Sequence, residues 1–132
     1  MRSFNVYEGS NGAYRVVKNG WSWPAFFFGS IWAFFAQLWL IGVILLPIEL
    51  FLQMLMSIIE QMQRNASGSY AETISVIGGV VAIVGLAIHI VFGAYGNAWR
   101  RKKLEKSNFR VVKTLDASSK DSAILAYKNS ML

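Results

Sequence analysis

The hydrophobic positions of this chain fall into two long runs rather than into the short alternations of a soluble domain. From Pro24 to Ile59 the one ionisable residue is Glu49, and from Ile74 to Gly96 the one charged or imidazole side chain is His89. A chain of 132 residues could not bury so much contiguous apolar surface in water, so the runs predict helices that lie in lipid. The second run is about as long as one crossing needs. The first covers 36 residues, which would be about 54 Å as a straight helix against a hydrocarbon core of about 30 Å. Either it turns back near Pro47 and crosses twice, or its aromatic first part lies in the interface and only the rest crosses. The single crossing is preferred, because Gly42 to Leu52 offers no polar tip for a turn and three crossings would put one basic terminus outside. Pro47 then only bends the span. Between residues 38 and 59 fourteen Leu, Ile, Val or Phe residues, at about −0.3 to −0.6 kcal/mol each, outweigh about +3 kcal/mol for one central acid.

Outside the runs the pattern changes period. Residues 3–8 and 13–18 are rich in aromatic and β-branched types and flank Gly9-Ser10-Asn11-Gly12, which predicts a β-hairpin, with a second turn at Asn19-Gly20. Phe109 to Leu115 reads as a third strand. Ser118 or Ser119 with Asp121, followed by Ala123, Ile124 and Tyr127, reads as a short capped helix. Each flank is too small to fold alone, so the two are expected to combine into one sheet with a helix against it. The expected fold is an α-helical membrane protein: a two-span hairpin preceded by an interfacial aromatic helix, with a small cytoplasmic α+β module built from both termini. In segments, 1–23 is the N-terminal hairpin, 24–36 the interfacial helix, 37–60 span one, 61–73 an outer loop, 74–96 span two, 97–107 a basic juxtamembrane stretch and 108–132 the strand and helix.

Charge sets the orientation. The formal net charge is +6, but residues 24–95 hold Arg64 against Glu49, Glu60 and Glu72, whereas nine Lys and Arg against three acids follow the last apolar run. Lys and Arg beside a span are retained in the cytoplasm, so both basic ends are expected inside. The N-terminus lacks the layout of a cleaved signal peptide, and the first span is expected to act as its own insertion signal. There is no cysteine and one histidine, so disulfides and thiolate sites are excluded, and neither a metal centre nor a cofactor is expected.

Two helical faces carry the candidate chemistry. Span two sets Gly78, Ala82, Gly85, His89, Gly93 and Gly96 on one side, and span one sets Gly42, Glu49, Gln53, Ser57 and Glu60. The plain reading is a tightly packed seam, with Gly42, Gly78, Ala82, Gly85 and Gly93 letting helices approach. The sharper one is an intramembrane polar pathway through Glu49, Gln53 and His89, since acids in lipid usually face protein or water. His89 shares the face of Glu49 but lies about 8 Å away in depth, at about 1.5 Å per residue, so a direct pair is not expected. Arg100, Arg101, Lys102 and Lys103 stand where anionic headgroups are met, worth about 1 kcal/mol per charge; no nucleic-acid recognition fold accompanies them. Ser118, Ser119 and Lys120 are explained by a cap, and no nucleophile, base and orienting group stand at recognisable spacing, so no catalytic residue is assigned.

The string Trp21-Ser22-Trp23-Pro24-Ala25-Phe26-Phe27-Phe28-Gly29, followed by Trp32, and Gly96-Asn97 with Trp99-Arg100-Arg101 and a basic tail to Phe109, resembles a family of small uncharacterised bacterial inner-membrane proteins, a domain of unknown function. Members often carry Pro after that Gly, where this chain has Ser30. The resemblance implies a bacterial cytoplasmic membrane and no particular activity. The expected function is a non-enzymatic interaction or adaptor protein, contacting anionic lipid and either a protein partner or further copies of itself. The alternative is a subunit of an oligomeric transporter or channel that uses Glu49.

Overall fold

The structure, a computed structural model, describes residues 1–132. The order of elements is β1 (Arg2–Gly9), β2 (Tyr14–Lys18), α1 (Trp23–Phe35), α2 (Trp39–Asn65), α3 (Gly68–Lys106), β3 (Phe109–Ala117) and α4 (Lys120–Asn129). They form two compact units, one of residues 1–23 with 93–132 and one of residues 24–92.

The first unit draws on both ends of the chain. Its sheet has the order β2-β1-β3, all antiparallel, so β1 is the central strand. The β1–β2 turn closes through Gly12 N–H to the Gly9 carbonyl (2.9 Å), with Gly12 at φ 74 and the Asn11 side chain accepting from Ala13 N–H. Alternation then puts Phe4 and Val6 on one face, where they join Val16, Ala117 and Ala123 in a core flanked by Tyr14, Leu115, Ile124 and Tyr127. The helix α4 supplies Ala123, Ile124 and Tyr127, and it starts at Ser119 with a reciprocal capping box to Ser122. On the other face Tyr7 and Val17 are also buried. Burial pushes the Tyr7 phenol above the usual tyrosine range, against the opposing pull of the Asn5 side chain and Arg101.

The segment after β2 is stitched to the last turns of α3. Ser22 N–H donates to the Gly93 carbonyl (2.7 Å), Asn97 Nδ2 donates to the Gly20 carbonyl (3.0 Å), and Arg101 Nη1 donates to Asn19 Oδ1 (3.1 Å). Gly93, Asn97 and Arg101 are spaced by four and so share one helix face. Gly93 is required there, because a Cβ would enter the Trp21 ring.

The second unit holds α1, α2 and the first part of α3. The helices α2 and α3 run antiparallel: Gln63 Nε2 donates to Ser75 Oγ (2.7 Å), and Gly78 lies against Ile59. Both are long and apolar enough to cross a membrane, and only 6% and 11% of their most apolar windows are buried, so most of that apolar surface is exposed. Two boundaries differ from expectation. The segment 61–73 is not a loop: helix continues through it except at Ala66-Ser67, with Gly68 at φ 61 taking the turn. The basic stretch is helical to Lys106. The long first run breaks at residues 36–38, at the junction drawn between segments 24–36 and 37–60, and Pro47 sits inside an uninterrupted α2.

That break is a Schellman ending on an unusual residue. Leu38 N–H donates to Ala33 and Gln37 N–H to Phe34, with Gln37 at φ 59, a left-handed position where glycine is the usual choice. Leu38 and Ala33 are both buried, the apolar contact that accompanies this motif. Phe34 then packs on Gly42 at the start of α2, so the end of α1 folds back along α2. Replacing Gln37 by Gly removes the left-handed cost of about 1 kcal/mol; Gln37→Gly is therefore expected to raise resistance to unfolding in detergent by that amount, and Gln37→Val to lower it.

Candidate functional site

The helix α1 is not continuous. Gly29 has φ 48 and ψ −123, a combination open to glycine, and the helix resumes at Ser30 in a new direction. In an unbroken helix the N–H of Ser30 would donate to the carbonyl of Phe26, four residues earlier. The turn at Gly29 separates these two groups, and both need new partners because buried backbone polar groups are costly when unmet.

Each partner comes from one of the two ionisable residues in the apolar runs. Glu49, on α2, accepts from Ser30 N–H at Oε1 (3.1 Å) and from the Ser30 hydroxyl at Oε2 in a short hydrogen bond. His89, on α3, meets the Phe26 carbonyl through Nδ1 at 2.5 Å. A carbonyl can only accept, so Nδ1 carries the proton and donates. The Phe26 ring stands edge-on to the imidazole at 6.4 Å. A Cβ on Gly29 would collide with the Glu49 carboxylate and approach His89 Cε1 to 3.1 Å. Glycine is thus demanded twice at this position, by its dihedral angles and by the close approach of both side chains. Ser30 is fully buried.

Glu49 and His89 converge on one turn of α1, each bonded to a different group of it. Glu49, Gln53, Ser57 and Glu60 of α2 and Ala82, Gly85 and His89 of α3 line one cavity of about 570 Å³, with Phe27, Phe28 and Ile31 of α1. The glycines divide by role. Gly42 admits the Phe34 ring, Gly78 admits Ile59, Gly93 admits Trp21, and Gly85 faces open space. Gly78 lies where α2 and α3 approach, as the small-residue stripe suggested. Among the basic residues, Arg101 is turned to the protein by its bonds to Lys18 and Asn19. Burial, and then Arg100 nearby, hold the Lys120 ammonium below the usual lysine range, so α3 and α4 bring cations to one part of the first unit. No group of three or more His, Cys, Asp or Glu side chains converges anywhere in the chain to hold a metal ion.

Sequence reasoning found Glu49 and His89 by their rarity but missed Ser30 and the Phe26 carbonyl. The available signal was Gly29-Ser30 inside an aromatic helix, a pair that often marks a sharp kink. What the arrangement does chemically is hold a bent helix: a carboxylate with two donors and an imidazole with one acceptor replace a lost backbone bond. Glu49→Leu leaves the Ser30 N–H and hydroxyl without their acceptor, so unfolding in detergent is expected to cost about 1–3 kcal/mol less, whereas Glu49→Gln, which keeps one acceptor, loses a smaller part. Gly29→Ala is expected to lose about 1–3 kcal/mol from its backbone alone, with a further loss from displacement of Glu49.

Curated proteins give no match, and neither do solved structures. The sequence model of the family described as "Protein of unknown function (DUF2628)" matches residues 4–106, more than half of the chain and including the aromatic string, the kink and both long apolar helices; the chain belongs to that family.

Proposed function

We propose that this chain is a two-span protein of the bacterial inner membrane that presents the module built from its two ends to a protein partner in the cytoplasm, without catalysing a reaction. The observation that carries this reading is the position of β1 between β2 and β3. A hydrogen-bonded sheet cannot form across a bilayer, so residues preceding the first apolar helix and residues following the last stand on the same side. The number of crossings is then even. The helices α2 and α3 supply two, and α1, 13 residues broken at Gly29, is too short to supply another. The basic residues at the end of α3 favour the cytoplasm for that side. Lys102, exposed on α3, is the natural contact for anionic headgroups there.

The module suits a partner more than a substrate. β3 is an edge strand with Val111 and Val112 exposed, flanked by Arg110 and Lys113. Such an edge can take an additional strand from another chain, and the flanking cations select against indiscriminate pairing. The competing reading, a transporter or channel subunit, draws support from the polar residues along the cavity. It ranks second because Glu49 already spends both carboxylate oxygens on Ser30.

Two measurements test the proposal. Reporter fusions at residues 1 and 132 should both report the cytoplasmic face; opposite faces would refute the topology. A photocrosslinker at Val111 in cells should capture one discrete partner, with the yield lost in Val112→Glu. If nothing is captured while reconstituted protein conducts protons in a manner abolished by Glu49→Gln, the transport reading replaces this one.

A further inference from the structure

The cavity of about 570 Å³ among α1, α2 and α3 lies wholly within residues 24–92 and falls in the size range of small-molecule sites. Its walls are apolar, with Phe28, Leu52 and Leu86 from the three helices. Along one side α2 places Glu49, Gln53, Ser57 and Glu60, on a single helix face. The two carboxylates stand 11 residues apart, about 16 Å along the helix. No lysine or arginine lines the space, and His89 is the one basic group. Glu49 is engaged with Ser30, whereas Glu60 is exposed at the other end and has no protein cation beside it in the lining.

We propose that this cavity binds a lipophilic organic cation, with its apolar body against Phe28, Leu52 and Leu86 and its positive centre neutralised by Glu60. Charge complementarity selects this occupant. A phosphate-bearing lipid headgroup would set an anion against two carboxylates. A second copy seated by twofold symmetry would set Glu60 towards Glu60. An uncharged apolar ligand would remove the Glu60 carboxylate and the Gln53 amide from their partners in solvent and return none. The lining also includes the aromatic side chains of Phe27 and Phe28, a residue type that attracts cations. The site does not depend on the adaptor reading, and the terminal reporters can fail while it stands.

The test uses the full chain in nanodiscs of neutral phosphatidylcholine, with tetraphenylphosphonium as the probe, measured by equilibrium dialysis against empty nanodiscs. One saturable site per chain is expected. Glu60→Gln should weaken it at least tenfold by removing the charge. Gly85→Leu should do the same by filling the space: Gly85 lines the cavity and a Cβ there meets nothing within 4 Å, so the variant does not strain the helix. Lys128→Gln, in α4, should leave binding unchanged, and neutral triphenylphosphine oxide should not compete. Uptake no greater than that of empty nanodiscs overturns the proposal, as does saturable binding indifferent to both variants, or equal competition by the neutral analogue. Because the chain has no cysteine, Ser57→Cys reports on a second copy directly. Disulfide-linked dimers formed in full yield through Ser57→Cys, with no probe bound to the unsubstituted protein, would show that another chain covers the cavity and would also overturn it.

Discussion

One backbone hydrogen bond that α1 does not make organises the membrane-length part of this protein. The turn at Gly29 parts Ser30 N–H from the Phe26 carbonyl, and Glu49 and His89 meet the two halves. In lipid an unmet backbone group costs several kcal/mol, comparable with the cost of placing an acid there. The two polar side chains and the broken helix therefore offset each other. Each alone would be unfavourable in an apolar surrounding, and together they satisfy three donors and acceptors. This accounts for the presence of Glu49 and His89 in otherwise apolar runs without assigning either to proton movement. It also accounts for Ser30: a proline there would have no N–H to satisfy, but serine brings both an N–H and a hydroxyl, and Glu49 has two oxygens to receive them.

The unit made of the two chain ends rests on a different device. β1 pairs on both sides, and the segment from Lys18 to Ser22 is fixed to Gly93, Asn97 and Arg101 at successive turns of α3. These contacts use the polar capacity of the Asn19-Gly20 turn, whose backbone would otherwise be left to solvent. Gly20 at φ 83 shapes the turn, and Asn19 also reaches back to Ser3 and Asn5 in β1. The strand hairpin is thereby tied both to its own sheet and to the last turns of α3, the helix that carries the second apolar run. A small sheet of three strands gains from such ties, because two-stranded pieces are marginal alone.

Much of this was legible in the residues. Period-two alternation marked the strands, Gly12 and Gly20 marked the turns, Ser119 marked the start of α4, and the run lengths marked two helices. What was not legible had local causes. The junction between segments 24–36 and 37–60 was legible, but its left-handed residue, Gln37, is of a type that carries no such signal, so the geometry of the break was hidden in an apolar stretch. The segment from Gln61 to Thr73 is polar, which suggested a loop, but polarity there reflects exposure; Gln, Met, Arg, Ala and Glu are good helix formers, and the turn needs only Ala66, Ser67 and Gly68. Arg101 looked like its basic neighbours because composition does not show which face of a helix a guanidinium occupies. At the kink, Glu49 and His89 stood out by rarity, while their partner groups were backbone atoms, which no sequence pattern displays.

The account turns on whether Glu49 really supplies the acceptor that the bent helix lacks. Site-resolved amide hydrogen exchange at Ser30, in the full chain in nanodiscs, measures that bond directly. The account predicts that the Ser30 amide is protected like the amides of unbroken helix in α2, and that Glu49→Leu removes this protection while the amides of β1 stay as they were. A Ser30 amide that exchanges rapidly in the unsubstituted protein, or one whose protection survives Glu49→Leu, would contradict it.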